Sequence, residues 1–294
     1  MWPWRDRKGR LSLLKLLVFA ALFAPAAWIV VAFGTGTIGA RPLNAAIREF
    51  GLWTIRWVFI ALAITPVSGI FSYPALFSVR RMIGVAAFTY GVVHLSLFTA
   101  DQAFDLRAVS FEILSRTYLT IGFTALLGLS ALAATSTDGM IGRLGGRNWR
   151  RLHRLVYAIA ALGLLHFWMQ SKLDVWEPTV MGGLLAWLLG YRALKWALPR
   201  RDGMSAPWAA GLGVAAALVT AFGEALYFWL AMGADPLRVL AVNLSLATGI
   251  RPAIVVLLTT LALTAAVAIR NLIARWGSGR PQLERVRPSG VRFG

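Results

Sequence analysis

The stretch R-R-M-I-G-V-A-A-F-T-Y-G-V-V-H, Arg80 to His94, opens on two arginines and continues to Ala100 without another charge. A run of about 18 or more apolar residues is long enough to cross a bilayer as a helix, and basic residues at one end fix which end stays cytoplasmic. His94 is then an ionisable ring inside the span, thirteen residues beyond Arg81. Such a ring is costly in lipid unless its N–H finds an acceptor, and its second nitrogen can serve a metal. The chain has only three histidines, His94, His153 and His166, and all lie in such segments. A haem gripped between two helices uses these nitrogens. The plainer alternative is that each ring is a hydrogen-bonded packing residue.

Working outward, the composition supports the same class. Of 294 residues, 58% are hydrophobic and 14% charged, and the mean hydropathy is +0.67, too few charges for an ordinary soluble surface. Apolar runs near 16–33, 52–71, 82–100, 116–134, 152–169, 179–197, 208–232 and 252–270 predict an all-α, polytopic membrane helix bundle of about eight transmembrane helices. Placing alternate loops on alternate sides puts 22 of the 30 basic residues on one side, which the positive-inside rule makes cytoplasmic, with both termini there. The setting is thus a cell membrane crossed several times. The competing reading of residues 16–33 as a cleaved signal peptide conflicts with Pro25 and Trp28, which continue the apolar run. The net charge of +18 sits in clusters at span ends, where it meets lipid headgroups, and implies no nucleic-acid partner. Without cysteine there is no disulfide or thiolate-held cluster.

This topology turns spacing into geometry. Spans three and five run the same way, with Arg81 and His153 each thirteen residues before His94 and His166. At 1.5 Å per residue both histidines lie roughly 20 Å from the cytoplasmic end, at matching depth. Two imidazoles at one depth can hold one haem iron. His153, near the cytoplasmic boundary, meets only Arg80 and Arg81 at its depth on span three, so a second bis-histidine site is not completed. On a straight helix it also points about 140° away from His166. Arg80, Arg81, Arg150, Arg151 and Arg154 cluster near it and could pair with haem propionates, a flavin phosphate or a quinone oxygen, or simply set topology and anchor lipid.

Several spaced motifs now carry a resemblance. W-R-R-L-H-R-L-V-Y at Trp149 to Tyr157 is preceded by A-T-S at Ala134 to Ser136 and R-L-G at Arg143 to Gly145, and followed by His166 and Trp168. Together with Arg80 to His94, G-L-W at Gly51 to Trp53 and T-P at Thr65 and Pro66, they resemble the MsrQ (YedZ) family of the ferric-reductase-like transmembrane superfamily, over roughly residues 40–197. The resemblance implies a haem b membrane subunit, with one or two haems and FMN as a further cofactor. It implies electrons from the quinone pool or a cytosolic flavin reductase, passed to a periplasmic molybdopterin enzyme that repairs methionine sulfoxide. It assigns the haem iron to His94 and His166, and less firmly to His153. The subunit itself would have no substrate-reducing site.

The chain also departs from that family, whose core has about six spans. The boundaries expected are 1–39 for a tail and first helix, 40–201 for the haem-binding core, 202–270 for a two-helix extension and 271–294 for a basic tail. The extension holds Glu224, a carboxylate inside a span with no second ionisable residue obvious at its depth. It marks either a proton path or a hydrogen-bonded helix contact. Two function classes follow, a transmembrane electron carrier and a proton-coupled transporter or channel using Glu224 and the histidines. The lack of a glycine-rich nucleotide fingerprint after a strand argues against a self-contained NADPH-driven ferric reductase or oxidase.

Overall fold

The computed structural model describes residues 2–5, 8–171, 174–198, 205–245 and 249–278, so the tail beyond 278 and the expected boundary at 201 lie outside the described residues. Among the described residues there is no strand, only an isolated bridge between Arg5 and Leu11. The helices are α1 (Leu13–Gly34), α2 (Pro42–Ile70), α3 (Phe77–Asp101), α4 (Leu106–Ser115), α5 (Thr117–Ala134), α6 (Asp138–Leu152), α7 (Leu155–Gln170), α8 (Trp176–Ala197), α9 (Ala206–Met232), α10 (Pro236–Leu244) and α11 (Pro252–Ser278), with a 3₁₀ turn at Pro74–Leu76. The protein is a polytopic, all-α membrane protein.

Each of the eight apolar runs is a helix, yet they are not equivalent. α1, α2, α3 with its 3₁₀ turn, α5, α9 and α11 are long and apolar enough to cross a membrane, and α6 with α7 adds a seventh span if that pair, bent by 48°, is counted as one. α8 carries Glu177, Arg192 and Lys195 and is instead wrapped by protein. Its Glu177 accepts from Arg56 at 2.6 Å, and Arg192 donates to the Leu62 and Leu188 carbonyls. Charges in lipid require such partners.

Between the spans run short helices that a search for apolar runs does not see. α4, α6 and α10 are capped by Asp105, Thr137 and Asp235, whose side chains accept from first-turn amides. Prolines open α2, α10 and α11, where a missing N–H costs nothing. Pro25 lies inside α1, and there the Tyr90 hydroxyl of α3 enters the ladder, donating to the Leu22 carbonyl at 2.7 Å and accepting from the Ala26 amide at 3.1 Å.

The core centres on Leu62, Ala87 and Ala160 of α2, α3 and α7, all fully buried. On its flank, α8, α9 and α11 meet through glycine: a Cβ on Gly190 would come within 2.6 Å of Leu212, one on Gly213 within 2.6 Å of Thr260, and one on Gly183 would clash with Thr220. Small residues let helices approach closely in lipid, where dispersion rather than water release drives association. Glu224 of α9 has an ionic partner after all. Arg251, just ahead of α11, donates to its Oε1 at 2.5 Å and to Asn243 of α10 at 3.2 Å, and Asn243 donates to the Ala221 carbonyl. The sequence hid this pair because Arg251 precedes its apolar run and reaches Glu224 only across the turn through α10.

Candidate functional site

His94 and His166 face one another across the bundle, with ring centres 6.4 Å apart and planes at 76°. Each is held the same way. Nδ1 of His94 lies 2.8 Å from the Ile47 carbonyl of α2, and Nδ1 of His166 lies 2.7 Å from the Tyr118 carbonyl of α5. A carbonyl oxygen only accepts, so both rings carry their proton on Nδ1 and keep Nε2 as an acceptor. Beneath each ring is a glycine: a Cβ on Gly51 would meet His94 ring atoms at 3.0 Å, and one on Gly122 would meet His166 Nδ1 at 2.7 Å. The Tyr118 ring adds a stack on His166, with centroids 6.2 Å apart and planes at 25°.

This geometry can be tested against a haem iron. With iron–nitrogen bonds of roughly 2 Å and imidazole rings a little over 1 Å in radius, one iron held between two imidazoles would set their centres about 6 to 6.5 Å apart. The observed separation falls in that interval. Carbonyl acceptors on the outer nitrogens are the orienting hydrogen bonds that metal-ligating histidines need. The residues therefore fit the group, and His94 and His166 could hold it.

His153 is placed differently. It caps the end of α6, and α7 begins only at Leu155, so the straight helix assumed from sequence is broken between His153 and His166. Trp149 stacks on its ring at 3.9 Å, its Nε2 lies 3.3 Å from the Thr135 hydroxyl, and Trp149 Nε1 donates to the Thr135 carbonyl. Of the arginines expected around it, Arg80 is within electrostatic reach. Arg81 pairs instead with Asp138 at 2.5 Å, and Arg150 and Arg151 are exposed on α6. His153 is thus brought together with Trp149, Thr135 and Arg80 but not with the other two histidines. No group of three or more potential metal-binding side chains occurs among the described residues. Haem needs only the pair.

Residues 50–164 match the family described as ferric reductase like transmembrane component. A protein-methionine-sulfoxide reductase heme-binding subunit MsrQ of Rhodospirillum rubrum is 42% identical over 200 residues, 68% of this chain and 94% of the relative. MsrQ of Herminiimonas arsenicoxydans is 38% identical over 205 residues, 69% of this chain and 94% of the relative, and that of Xanthomonas oryzae pv. oryzae is 43% identical over 194 residues, 64% and 88%. The chain belongs to the MsrQ family. No solved structure matches. Because these MsrQ relatives are covered almost end to end by about two thirds of the chain, roughly a third of it has no counterpart in them.

The glycine seats, the two acceptor carbonyls and the Thr135–Trp149 clasp went unseen in the sequence reading. G-L-W at Gly51 to Trp53 had been noted only as part of a motif. Which glycine lies under which ring is a matter of helix register that spacing does not carry.

Proposed function

We propose that the chain is the haem b electron-transfer subunit of a periplasmic methionine-sulfoxide repair system in the bacterial inner membrane, with both termini cytoplasmic. The observation that carries the reading is the His94–His166 pair, two Nδ1-protonated imidazoles at a separation suited to one iron. The names of the matched relatives support it, since each is a heme-binding subunit of a protein-methionine-sulfoxide reductase. Bound haem supplies one-electron carriage.

The chain's own residues hold and orient. Ile47 and Tyr118 fix the tautomers, Gly51 and Gly122 admit the rings, and the surrounding helices exclude water. Electrons would enter from quinol or reduced flavin on the side of Arg80, Arg81, Arg150 and Arg151, with FMN as an additional carrier, and leave toward a molybdopterin-dependent reductase outside. Reducing one sulfoxide to a thioether consumes two electrons and two protons and releases water, so two single-electron deliveries serve each turnover. Among the described residues no catalytic constellation for that step is seen, and the reading assigns it to the partner enzyme. The transporter alternative gains nothing, because Glu224 is committed to Arg251.

Purified protein should show a dithionite-reduced b-type spectrum that His94→Ala or His166→Ala removes. Membranes given quinol should hold the haem reduced until the periplasmic reductase and an oxidised protein are added. Haem that stays reduced under those conditions, or sulfoxide reduction by the subunit alone, refutes the proposal.

A further inference from the structure

The two ligand-bearing hairpins repeat one pattern. In α2–α3 the acceptor carbonyl is Ile47, a glycine follows four residues later at Gly51, and the ligand comes at His94 with a glycine three residues before it, Gly91. In α5–α7 the acceptor is Tyr118, the glycine four residues later is Gly122, and the ligand is His166 with Gly163 three residues before it. Acceptor and histidine are 47 residues apart in the first hairpin and 48 in the second.

The contacts between the hairpins are reciprocal. A Cβ on Gly91 would meet Leu126, four residues after Gly122, at 2.9 Å, and one on Gly163 would meet Ile55, four residues after Gly51, at 3.0 Å. Residue i against j, with the counterpart of j against the counterpart of i, is the signature of a twofold interface. The relation lapses thirteen residues before each ligand, where Arg81 of one hairpin corresponds to His153 of the other.

We propose that α2–α3 and α5–α7 are two copies of one ligand-holding hairpin, related by an approximate twofold axis between His94 and His166, and that Gly51 and Gly122 are its positioning residues. Glycine inside a helix is unfavourable by itself, so its recurrence at one register calls for a packing reason. Here the reason is the ring. Each glycine lets an imidazole lie flat enough on the neighbouring helix for Nδ1 to reach the carbonyl one turn earlier, which fixes the ring plane and strengthens Nε2 as a ligand. The inference rests on His94 and His166 being the ligand pair.

The test uses the full chain, loaded with haem in detergent. Gly122→Ala places a methyl 2.7 to 2.9 Å from three ring atoms of His166, whereas Gly51→Ala meets two atoms of His94 at 3.0 Å and a third at 3.7 Å. Gly122→Ala should lower the ratio of six-coordinate to five-coordinate haem roughly tenfold, and Gly51→Ala by about threefold. Both should change the ferric g values and raise the midpoint potential, a threefold loss of ferric preference being about 30 mV for one electron. Gly84→Ala, with nothing within 4 Å, should change none of these. Gly91→Ala and Gly163→Ala should match each other and act weakly, since the Leu126 and Ile55 tips can swing aside.

Gly51→Ala and Gly122→Ala variants with parental g values and potential overturn the inference, as do unequal effects at Gly91 and Gly163. If Gly122→Ala does not assemble, Gly51→Ala carries the test alone. Low-spin haem retained in His94→Ala or His166→Ala would instead defeat the ligand assignment.

Discussion

Replacing Arg251 by Leu should be among the most damaging single changes outside the histidine pair, and the reason lies in Glu224. That carboxylate is only 3% exposed, its Oε1 is held by Arg251 at 2.5 Å, and its Oε2 has no partner. Arg251→Leu therefore leaves a buried carboxylate without its compensating charge. Breaking a buried pair from one side costs roughly 3 to 5 kcal/mol, or a melting shift of about 10 °C in a protein of this size. Glu224→Gln is gentler, because the amide oxygen still accepts from Arg251, and a lost charge on one partner of a satisfied bond costs about 1 to 2 kcal/mol. The double variant Glu224→Leu with Arg251→Leu removes both charges and should recover most of the loss. Thermal melts in detergent, followed by tryptophan fluorescence with the haem spectrum recorded in parallel at low temperature, read all three. A melt for Arg251→Leu within a degree or two of the parent, or a double variant less stable than Arg251→Leu, would show that the pair does not hold the extension in place.

Further outcomes follow from the same structure. His153→Ala should keep the low-spin spectrum of the His94–His166 pair, since its ring is engaged by Thr135 and Trp149; complete spectral loss would make it an essential ligand. Tyr90→Phe strips the Leu22 carbonyl of its donor and the Ala26 amide of its acceptor, costing roughly 1 to 3 kcal/mol, and hydrogen exchange near Ala26 should rise. Reporter fusions after Arg201 and Arg292 should report cytoplasm and one near Asp105 periplasm, and a periplasmic C-terminus would overturn the proposed orientation.

What the sequence disclosed and what it concealed divide along a physical line. Helix class, the positions of the apolar helices and the facing of His94 by His166 follow from one-dimensional periodicity and rise per residue, so they were legible, whereas the separate character of α8 was not. Contacts set by helix rotation were not: nothing in the spacing says that Gly122 rather than Gly128 lies beneath His166. The break after Leu152 was missed because the apolar run was begun at 152, taking in His153 and Arg154, whereas the helix starts only at Leu155. α4 and α10 escaped because they are short and amphipathic, each opened by an Asp cap. The partner of Glu224 sits 27 residues away in a connecting segment, beyond any pattern local to α9.

The glycine seam of α8 bears on how the molecule comes apart. Gly183, Gly190 and Gly213 leave no methyl-sized cushion between α8, α9 and α11, while the opposite face of α8 grips α2 through Glu177 and Arg192. Stripping away the last helices would present lipid with a notched, glycine-lined face and cost α8 its packing on one side. Helices α9 to α11 are thus expected to melt together with the haem-bearing hairpins in a single cooperative transition, and a gene truncated after α8 should yield little assembled protein.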